Sequence, residues 1–590
     1  MVKDIQKLIS EAKNPGFDWN GTADLPGFPL PPNPIIITGV KEEDKAWFWE
    51  SAAGLNLNPE NVYLNDTHSD KPQLQGMFKA RKCRELKIDR YFDNDPVHVY
   101  WIKKYAPELD VVYIHRRSYI IFTKGMDGIT YGVRLKEEGN NVIMAILPDE
   151  KEDPEILKRR ATIGDGLIDR YPADKVIKLL SKIPDEDRDE YFIDWDFNYS
   201  PEYADKIRKI PGVPFFGLMP TKEGRALEDD RHAAQEFVNQ NYLNLEIPEE
   251  MEFKAVEEAI AHIEEGNKVY VVKCNGDHVT VFVPEAKEFK DAIGEIKSHL
   301  ESNKSELEKE GFILQEKIIN PVEVTPEALF INGKPLYWMV DIENKRIAAG
   351  DYGKIVGCSI DLNFIPNPGS KLVQYGLKDY YKKAEEDKLT NWMDASMYVD
   401  RHTNKAYFGE FCPERRGYNS FLTELSMLPS VSYFFESVIA GINPFESAKP
   451  FGVSIRVFNS QTDEERHPKG GLAIKAYGRN VWLWDVKKDE KDNLVTVGES
   501  DSAACITGVG DTVDEAIENV FYNLGNFCMQ DMMLRTDFKT EEWYGLKKRY
   551  TYLEENGWLE PDKVDDELTS DKKYVNVKES KTKSKTNNKK

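Results

Sequence analysis

Residues Tyr407–Gly417 read YFGEFCPERRG, and they follow the run SMYVDRHTNKA, Ser396–Ala406, across a polar turn at Arg401–Lys405. Glu410 is a carboxylate inside an otherwise apolar stretch, which leaves two readings. At the end of a strand it is a metal ligand, and on a sheet edge it is a solvated side chain. The first implies an enzyme and the second a scaffold, so the neighbouring segments have to separate them.

A chain of 590 residues exceeds one ordinary hydrophobic core, and roughly two to four domains are expected. Hydrophobic residues at 40% and aromatics at 11% supply packed cores, and charged residues at 31% supply a solvated surface. The formal net charge of −24 repels duplex DNA and anionic membranes, so neither nucleic acid nor a membrane is expected as the main partner. Cys83, Cys274, Cys358, Cys412, Cys505 and Cys528 form no CxxC pair, which argues against a zinc site or a disulfide framework and for a reducing compartment. The start of the chain, MVKDIQKLISEAKNPGFDWNG, has no signal-peptide core, and no apolar run reaches membrane length, so a cytoplasmic location is expected.

Working outward from the opening stretch, the chain divides into five parts. Residues 1–117 hold a short helix, the connector LPGFPLPPNP and the strand IIITGV, and read as an N-terminal extension of unassigned role. From Ser118 the strand SYIIFT, the helix in KGMDGITYGVRLKEEG and the strand NNVIMAILPD form a βαβ unit. The strand DEYFIDWDF, the helix SPEYADKIRKI and the strand GVPFFGLMP repeat the alternation, so 118–220 reads as a doubly wound α/β domain. Gly125 and Gly128 sit at its first strand-to-helix turn, where glycine serves backbone geometry, and the full dinucleotide fingerprint is absent.

Residues 221–449 read as an α+β domain. A long helix, TKEGRALEDDRHAAQEFVNQNY, precedes two β-rich runs, KVYVVKCNG and HVTVFVPE, and the charged helix EFKDAIGEIKSHLESNKSELEKEG. The strands GFILQEKI, EVTPEALFI and KPLYWMVDI follow, with Asn332-Gly333 marking a tight hairpin. Residues 450–530 read as a small C-terminal α+β domain ending in the helix TVDEAIENVFYNLGNF. Residues 531–590 form a C-terminal extension whose lysine-rich end, KESKTKSKTNNKK, reads as disordered.

Four segments, in order, resemble the ATP-grasp ligases and within them the phosphoribosylamine–glycine ligase branch. In VPFFGLMPTKEGRALEDDRHAAQEFVNQNYLNLEIP, Phe216, Gly217, Leu227, Glu228 and Pro248 keep the family pattern, and Arg231 stands where the family has a phosphate-side lysine. KVYVVKCNGDHVTVF resembles the strand whose lysine, here Lys273, meets the nucleotide phosphates. GFILQEKIINPVEVTPEALFINGKPL resembles the hinge, which implies that Gln315, Glu316, Lys317 and Ile318 line the adenine and that Glu323 sits near the ribose. The opening stretch is the fourth segment and resembles the magnesium strand, with Glu410 as ligand and Asp400 or Asp394 as further candidates. The stretch GLAIKAYG through ACITGVGDTVDEAIENVFYNL resembles the family's C-terminal domain, so the likeness covers about Ser118–Phe527.

The resemblance implies a doubly wound preATP-type domain, an ATP-grasp domain and a small C-terminal domain. Its chemistry is carboxylate activation by ATP and Mg²⁺ to an acyl phosphate, captured by an amine, with a small-molecule carboxylate and amine as substrates. Arg415 and Arg416 would face the acyl phosphate or an anionic substrate, and Arg346, in the Lys345-Arg346 pair, would contact substrate. Three features depart from the family. The loop CNGDHVTVF lacks the glycine-rich, lysine-bearing closure, Cys412 replaces an oxygen ligand, and DYGKIVGCSID replaces the substrate loop. Two functions are therefore expected as alternatives: a divergent carboxylate–amine ligase, or a catalytically degenerate ATP-grasp protein that binds nucleotide or serves in assembly.

Overall fold

The computed structural model describes residues 8–23, 30–53, 57–69, 71–113, 117–125, 127–138, 140–148, 153–184, 191–196, 199–210, 216–242, 244–274, 281–286, 289–413, 418–446 and 448–561. The chain is a mixed α/β protein of several sheets. The N-terminal region, expected as an unassigned extension, contains a complete parallel sheet. Its strands β1 (Pro15–Phe17), β2 (Ile35–Lys41), β3 (Val62–Asn65), β4 (Arg90–Asp93) and β5 (Asp110–Tyr113) lie in the order β3-β2-β1-β4-β5. Consecutive residues point to opposite faces, and both faces are covered. Ile36 and Phe92 enter one apolar cluster with Phe17, Trp19 and Phe48, whereas Ile37 and Tyr91 enter another with Phe78, Val99 and Val111. Strands as short as the three residues Pro-Gly-Phe of β1 carry no period of their own, which is why the pattern escapes a sequence reading.

A second parallel sheet, β10-β9-β6-β7-β8, comprises β6 (Ser118–Thr123), β7 (Asn141–Ile146), β8 (Asp169–Pro172), β9 (Tyr191–Trp195) and β10 (Phe216–Leu218). Gly128 lets the helix Asp127–Glu137 approach this sheet, because a Cβ there would lie 2.7 Å from Ile121 Cγ2. One face of the sheet, through Tyr119, Ile121 and Phe192, shares a continuous core with the largest sheet of the molecule, and Arg117 Nε donates to Glu436 Oε1 at 2.6 Å across that junction.

The helix expected over 221–242 is two helices, Lys222–Asp229 and Arg231–Asn241. Asp230 breaks it by turning its side chain onto the Ala233 N–H at 3.0 Å, as an N-cap. The charged helix likewise divides at Asn303 into Phe289–Ser302 and Lys304–Glu310. Of the β-rich run HVTVFVPE, Phe282 makes a single bridge to Val272, and residues 275–280 lie outside the described residues.

Strands β11 (Leu245–Glu246), β12 (Glu250–Phe253), β13 (Tyr270–Cys274) and β14 (Phe312–Glu316) come next, and the last three form a small antiparallel sheet, β12-β14-β13. The large sheet runs β11-β19-β18-β15-β16-β17-β20-β25-β22. It contains β15 (Val322–Ile331), β16 (Lys334–Ala348), β17 (Tyr352–Phe364), β18 (Asn391–Val399), β19 (Ala406–Pro413) and β20 (Phe451–Asn459). The short strands β21 (Ile474–Ala476), β22 (Val481–Leu483), β23 (Val486–Lys488) and β24 (Leu494–Thr496) precede β25 (Ser502–Gly510). The β15–β16 turn is formed by Asn332 and Gly333 at φ 51° and 79°, the two positive values that a two-residue hairpin requires.

Of the strands from residue 450 onward, β21 pairs with β26 (Phe527–Met529) and β23 with β24 in two-stranded sheets, and the longer ones join the large sheet. β20 pairs with β17 from Ile360–Ile455 to Phe364–Phe451, and β25 pairs with β20, so they extend the sheet that carries Glu410. Residues 531–561, expected as an extension, pack back onto it: Leu546, Leu553 and Phe538 are buried, and the buried Arg535 holds Asp537 at 2.7 Å and Asp351 at 3.1 Å. Residues 562–590, with the lysine-rich end, lie outside the described residues. Among the described residues no helix is long and apolar enough to cross a membrane.

The helix Val513–Leu524 lies directly on β25 at Gly508, where a Cβ would stand 2.1 Å from the Val520 nitrogen and 2.5 Å from the Ala516 oxygen. Both are backbone atoms and cannot swing away. Gly508→Ala should destabilise this unit by about 1–3 kcal/mol or more, read as a lowered unfolding temperature. An unchanged transition would show that the helix does not sit this close.

Candidate functional site

Two surfaces carry the residues singled out from the sequence. The first is one face of the small sheet. Tyr270, Val272, Phe312 and Leu314 turn toward the helices Val256–Glu265 and Phe289–Ser302, so the alternate residues Val271, Lys273, Ile313 and Gln315 turn the other way. Lys273 and Gln315 are both buried there, at 8% and 6% exposure, far below the usual lysine. Gln315 Nε2 donates to Glu250 Oε2 at 3.3 Å, and Gln235 Nε2, from the helix Arg231–Asn241, donates to the same oxygen at 2.8 Å.

The segment after β14 links the two sheets, since β14 ends at Glu316 in the small sheet and β15 begins at Val322 in the large one. Lys317 Nζ donates to the Pro284 carbonyl at 2.8 Å, and burial together with the Arg346 charge holds its ammonium below the ordinary lysine value. The Glu316 carboxylate meets Lys268 Nζ at 2.7 Å, and Ile318 is half-buried.

The second surface is a face of the large sheet. Because antiparallel strands align residue by residue, the register sets polar side chains in rows. Cys412 lies opposite Asp394 and Asp394 opposite Glu327, while Glu410 lies opposite Ser396. Tyr407 pairs with Tyr398 and Tyr398 with Glu323. Farther along, Glu343 pairs with Asp361 and Asp341 with Asn363.

Lys345 reaches into this acidic face, its Nζ 2.6 Å from Glu323 and 3.4 Å from Glu343. Burial works against its charge, but Glu323 and Glu343, with Tyr398 and Glu410 beyond them, hold it well above the ordinary lysine value. Glu343 is pushed up to about 7 by burial, with Lys345 acting in the opposite direction. The helix Tyr418–Met427 supplies hydroxyls: Ser420 Oγ donates to Asp341 Oδ2 at 2.6 Å and to Asp361 Oδ2 at 3.2 Å.

The predicted site residues fall out as follows. Glu410 is exposed and shares the acidic face with Lys345. Asp400 does not join it. Asp400 sits at the tip of the β18–β19 hairpin, where it accepts hydrogen bonds from the His402 N–H at 2.9 Å and Thr403 Oγ1 at 2.6 Å, as turn aspartates do. Four residues of strand, about 13 Å, separate it from the Ser396–Glu410 pair.

Glu323 is held by Lys345. Arg346 points away from its neighbour Lys345: its guanidinium binds the Gly353 carbonyl at 2.7 Å, the Val283 carbonyl at 3.4 Å and the Glu285 carboxylate, tying segment 281–286 to β16. Of the basic pair, Lys345 therefore faces the acidic row and Arg346 serves as a strut. Arg231 is the first residue of its helix, and its side chain lies outside the described part, as do Arg415 and Arg416 altogether. Cys412 is half-buried, and burial with the Asp394 and Glu410 carboxylates pushes its thiol well above the ordinary value, so it stays a neutral thiol.

Sequence reasoning missed Asp341, Glu343, Asp361 and Asn363. Their signal is the alternation of polar and apolar residues in MVDIENK and SIDLNF, which marks one polar face of two buried strands.

Between its ordinary value and about 7, the Glu343 carboxyl of the folded chain keeps a proton that the unfolded chain releases, so this group lowers stability as pH rises through that window. Glu343→Gln should flatten the fall. The loss of unfolding temperature between about pH 5 and pH 7 should be smaller in the variant than in the parent, and an identical pH profile would contradict the burial of this carboxyl.

No protein-family model matches the chain, and no curated protein does. Solved structures do match. Phosphoribosylamine–glycine ligase from Thermotoga maritima is 17% identical, covering 71% of this chain and 99% of that one, at a TM-score of 0.49. Phosphoribosylglycinamide synthetase from Anaerococcus prevotii is 14% identical over 70% of this chain and 99% of its own, at 0.42. The biotin carboxylase domain of 2-oxoglutarate carboxylase from Hydrogenobacter thermophilus, solved with MgADP, is 12% identical over 74% and 97%, at 0.46. These likenesses are of fold, at 12–17% identity.

Proposed function

We propose that the chain binds ATP with Mg²⁺ between the small sheet and the acidic face of the large sheet, and that it is a divergent ligase joining a carboxylate to an amine. The observation that carries this reading is the pairing of two surfaces through one short hinge. Buried Lys273 and Gln315 occupy the face of the small sheet turned away from the helices Val256–Glu265 and Phe289–Ser302, and five residues carry the chain from β14 into the strand that carries Glu323. An ammonium on that face suits the charge of a phosphate chain.

The donor set fits a hard cation in part. Glu410 offers an exposed carboxylate and would hold Mg²⁺, whereas the neutral Cys412 thiol beside it does not fit. Bound ATP supplies the γ-phosphoryl group for carboxylate activation, and bound Mg²⁺ offsets its charge. In this reading Lys273 meets the phosphates, Gln315–Ile318 receive the adenine by side chain and backbone, and Lys345 meets the acyl phosphate or the carboxylate substrate. Arg415 and Arg416, next along the chain from β19, are candidates for the same anion. An ammonium already compensated by Glu323 and Glu343 is poised to be shared with an incoming anion without ordering new side chains.

A second reading rests on Cys412. If the missing oxygen ligand abolishes turnover, the chain is a nucleotide-binding or assembly protein with the same ATP site.

Calorimetry and thermal unfolding with MgATP separate these readings. MgATP should raise the unfolding temperature, Lys273→Ala should weaken binding at least tenfold, and Glu410→Ala should remove the magnesium-dependent part. ADP release that requires both a carboxylate and an amine identifies the ligase, and binding without turnover across a broad panel identifies the second reading. If MgATP leaves the unfolding temperature unchanged, both fail.

A further inference from the structure

The N-terminal parallel sheet has its own cleft. In the order β3-β2-β1-β4-β5 the chain runs outward from β1 in one direction and from β4 in the other, so the sheet reverses between those strands. Ligands of doubly wound sheets bind at the carboxyl ends of the strands at such a point. Here those ends carry Asp18, just after β1, and Asp93, Asn94 and Asp95 at the end of β4. Asp18, Asn94 and Asp95 line a cleft of about 450 Å³, closed by Thr38–Lys41, Asp44 and His98.

Asp18, Asp93 and His98 place potential ligand atoms within 4.8 Å of one another, but an ammonium already occupies their centre. Lys79, fully buried on the helix Pro72–Glu85, sets its Nζ 2.8 Å from Asp93 Oδ2, 3.1 Å from Asp18 Oδ2 and 2.8 Å from His98 Nδ1. Burial opposes the Lys79 charge, yet Asp18 and Asp93 hold it well above the ordinary lysine value. With Nδ1 accepting from Lys79, His98 donates through Nε2 to Gln75 Oε1 at 2.6 Å, and burial and the lysine bring its pKa down to about 4. The imidazole is neutral and both nitrogens are engaged. Asp93 Oδ1 in turn accepts the Asp95 N–H at 2.9 Å.

One atom of the cluster is left over. Asp18 is 4% exposed, and its Oδ1 has no hydrogen-bond partner among the described residues. A buried carboxylate oxygen left unmade costs free energy, so a partner is expected from outside the chain. That partner is positive: Asp18, Asp44 and Asp95 line the cleft against Lys41, which itself pairs with Glu43 at 3.3 Å, while Lys79 and Asp93 offset each other behind it. The excess of negative charge suits a divalent cation, and carboxylate oxygens as the donors favour a hard one.

We propose that the N-terminal sheet binds a divalent cation of the Mg²⁺ class at Asp18 Oδ1, with Asp95 as the second protein ligand. Two carboxylates leave most of its coordination positions open to the cleft, where water or an anionic oxygen of a small molecule completes the shell. Lys79 takes the other Asp18 oxygen and holds Asp93 behind it, and His98, itself fixed by Gln75, holds Lys79.

The test titrates the full chain with Mn²⁺ alone, without nucleotide, counting bound metal by electron paramagnetic resonance and following thermal unfolding. The parent should bind one equivalent that Asp18→Asn and Asp95→Asn each weaken at least tenfold, and that Glu410→Ala retains. Loss of that equivalent in Glu410→Ala alone would assign it to the large sheet and overturn the proposal. Unchanged Mn²⁺ binding in both asparagine variants, or no binding by the parent, would overturn it as well. Should Asp18→Asn fail to fold for want of the Lys79 partner, Asp95→Asn decides. Asparagine keeps the hydrogen bond from the His98 N–H to position 95, so this variant should fold, and the proposal requires it to lose the unfolding-temperature rise that Mn²⁺ gives the parent.

Discussion

Register is the constraint on which the large sheet depends. Side chains alternate along a strand with a period of two, so a slip of β16 by one residue against β15 would carry Glu343 and Lys345 into the apolar core and turn Ile342 outward, away from Glu323. The Asn332-Gly333 turn fixes that register, since both positions take positive φ and few other pairs would. With it fixed, an acidic row forms across several strands. Such a row is stable only with compensation, which Lys345 and the hydroxyls of Ser420 and Ser454 supply; Ser454 Oγ donates to Asp361 Oδ1 at 2.5 Å.

The same principle governs the N-terminal sheet at smaller scale. There the compensation is one buried ammonium shared by two carboxylates and an imidazole, and it accounts for every polar atom at the centre except one oxygen. Both sheets therefore place a lysine among carboxylates at a strand face or strand end. The large-sheet lysine stands beside an exposed glutamate, whereas the N-terminal one is sealed behind a lining that opens on a cleft.

Much of the second parallel sheet and of the β15–β16 and β18–β19 hairpins was legible in the sequence, because their strands are long enough to show a period and their turns carry distinctive residues. Lys273, Gln315 and Glu410 could be singled out because each is a polar residue in an apolar run. What could not be read was which face each neighbour takes. Lys345 and Arg346 are adjacent and chemically alike, and only the pleat sends one to the acidic row and the other to Glu285 and Gly353. Asp400 looked like strand because it follows five strand-forming residues, but the turn that begins there uses its carboxylate locally. The N-terminal sheet was missed because its strands are brief and its decisive residues, Asp18, Lys79 and Asp95, are far apart along the chain and meet only through the fold.

The way the C-terminal strands join the large sheet also orders events during synthesis. The N-terminal sheet has all its strands once residue 113 is made, so it can close while the rest of the chain is still being added. β17 has no such freedom. Its outer edge, on which Asp361 and Asn363 lie, pairs with β20 and through it with β25, and remains an open row of hydrogen-bonding groups until residues 451–510 have emerged. The acidic face is thus among the last surfaces to be completed, and a nascent chain halted before β25 would carry the charges of that face without the strands and hydroxyls that make them tolerable.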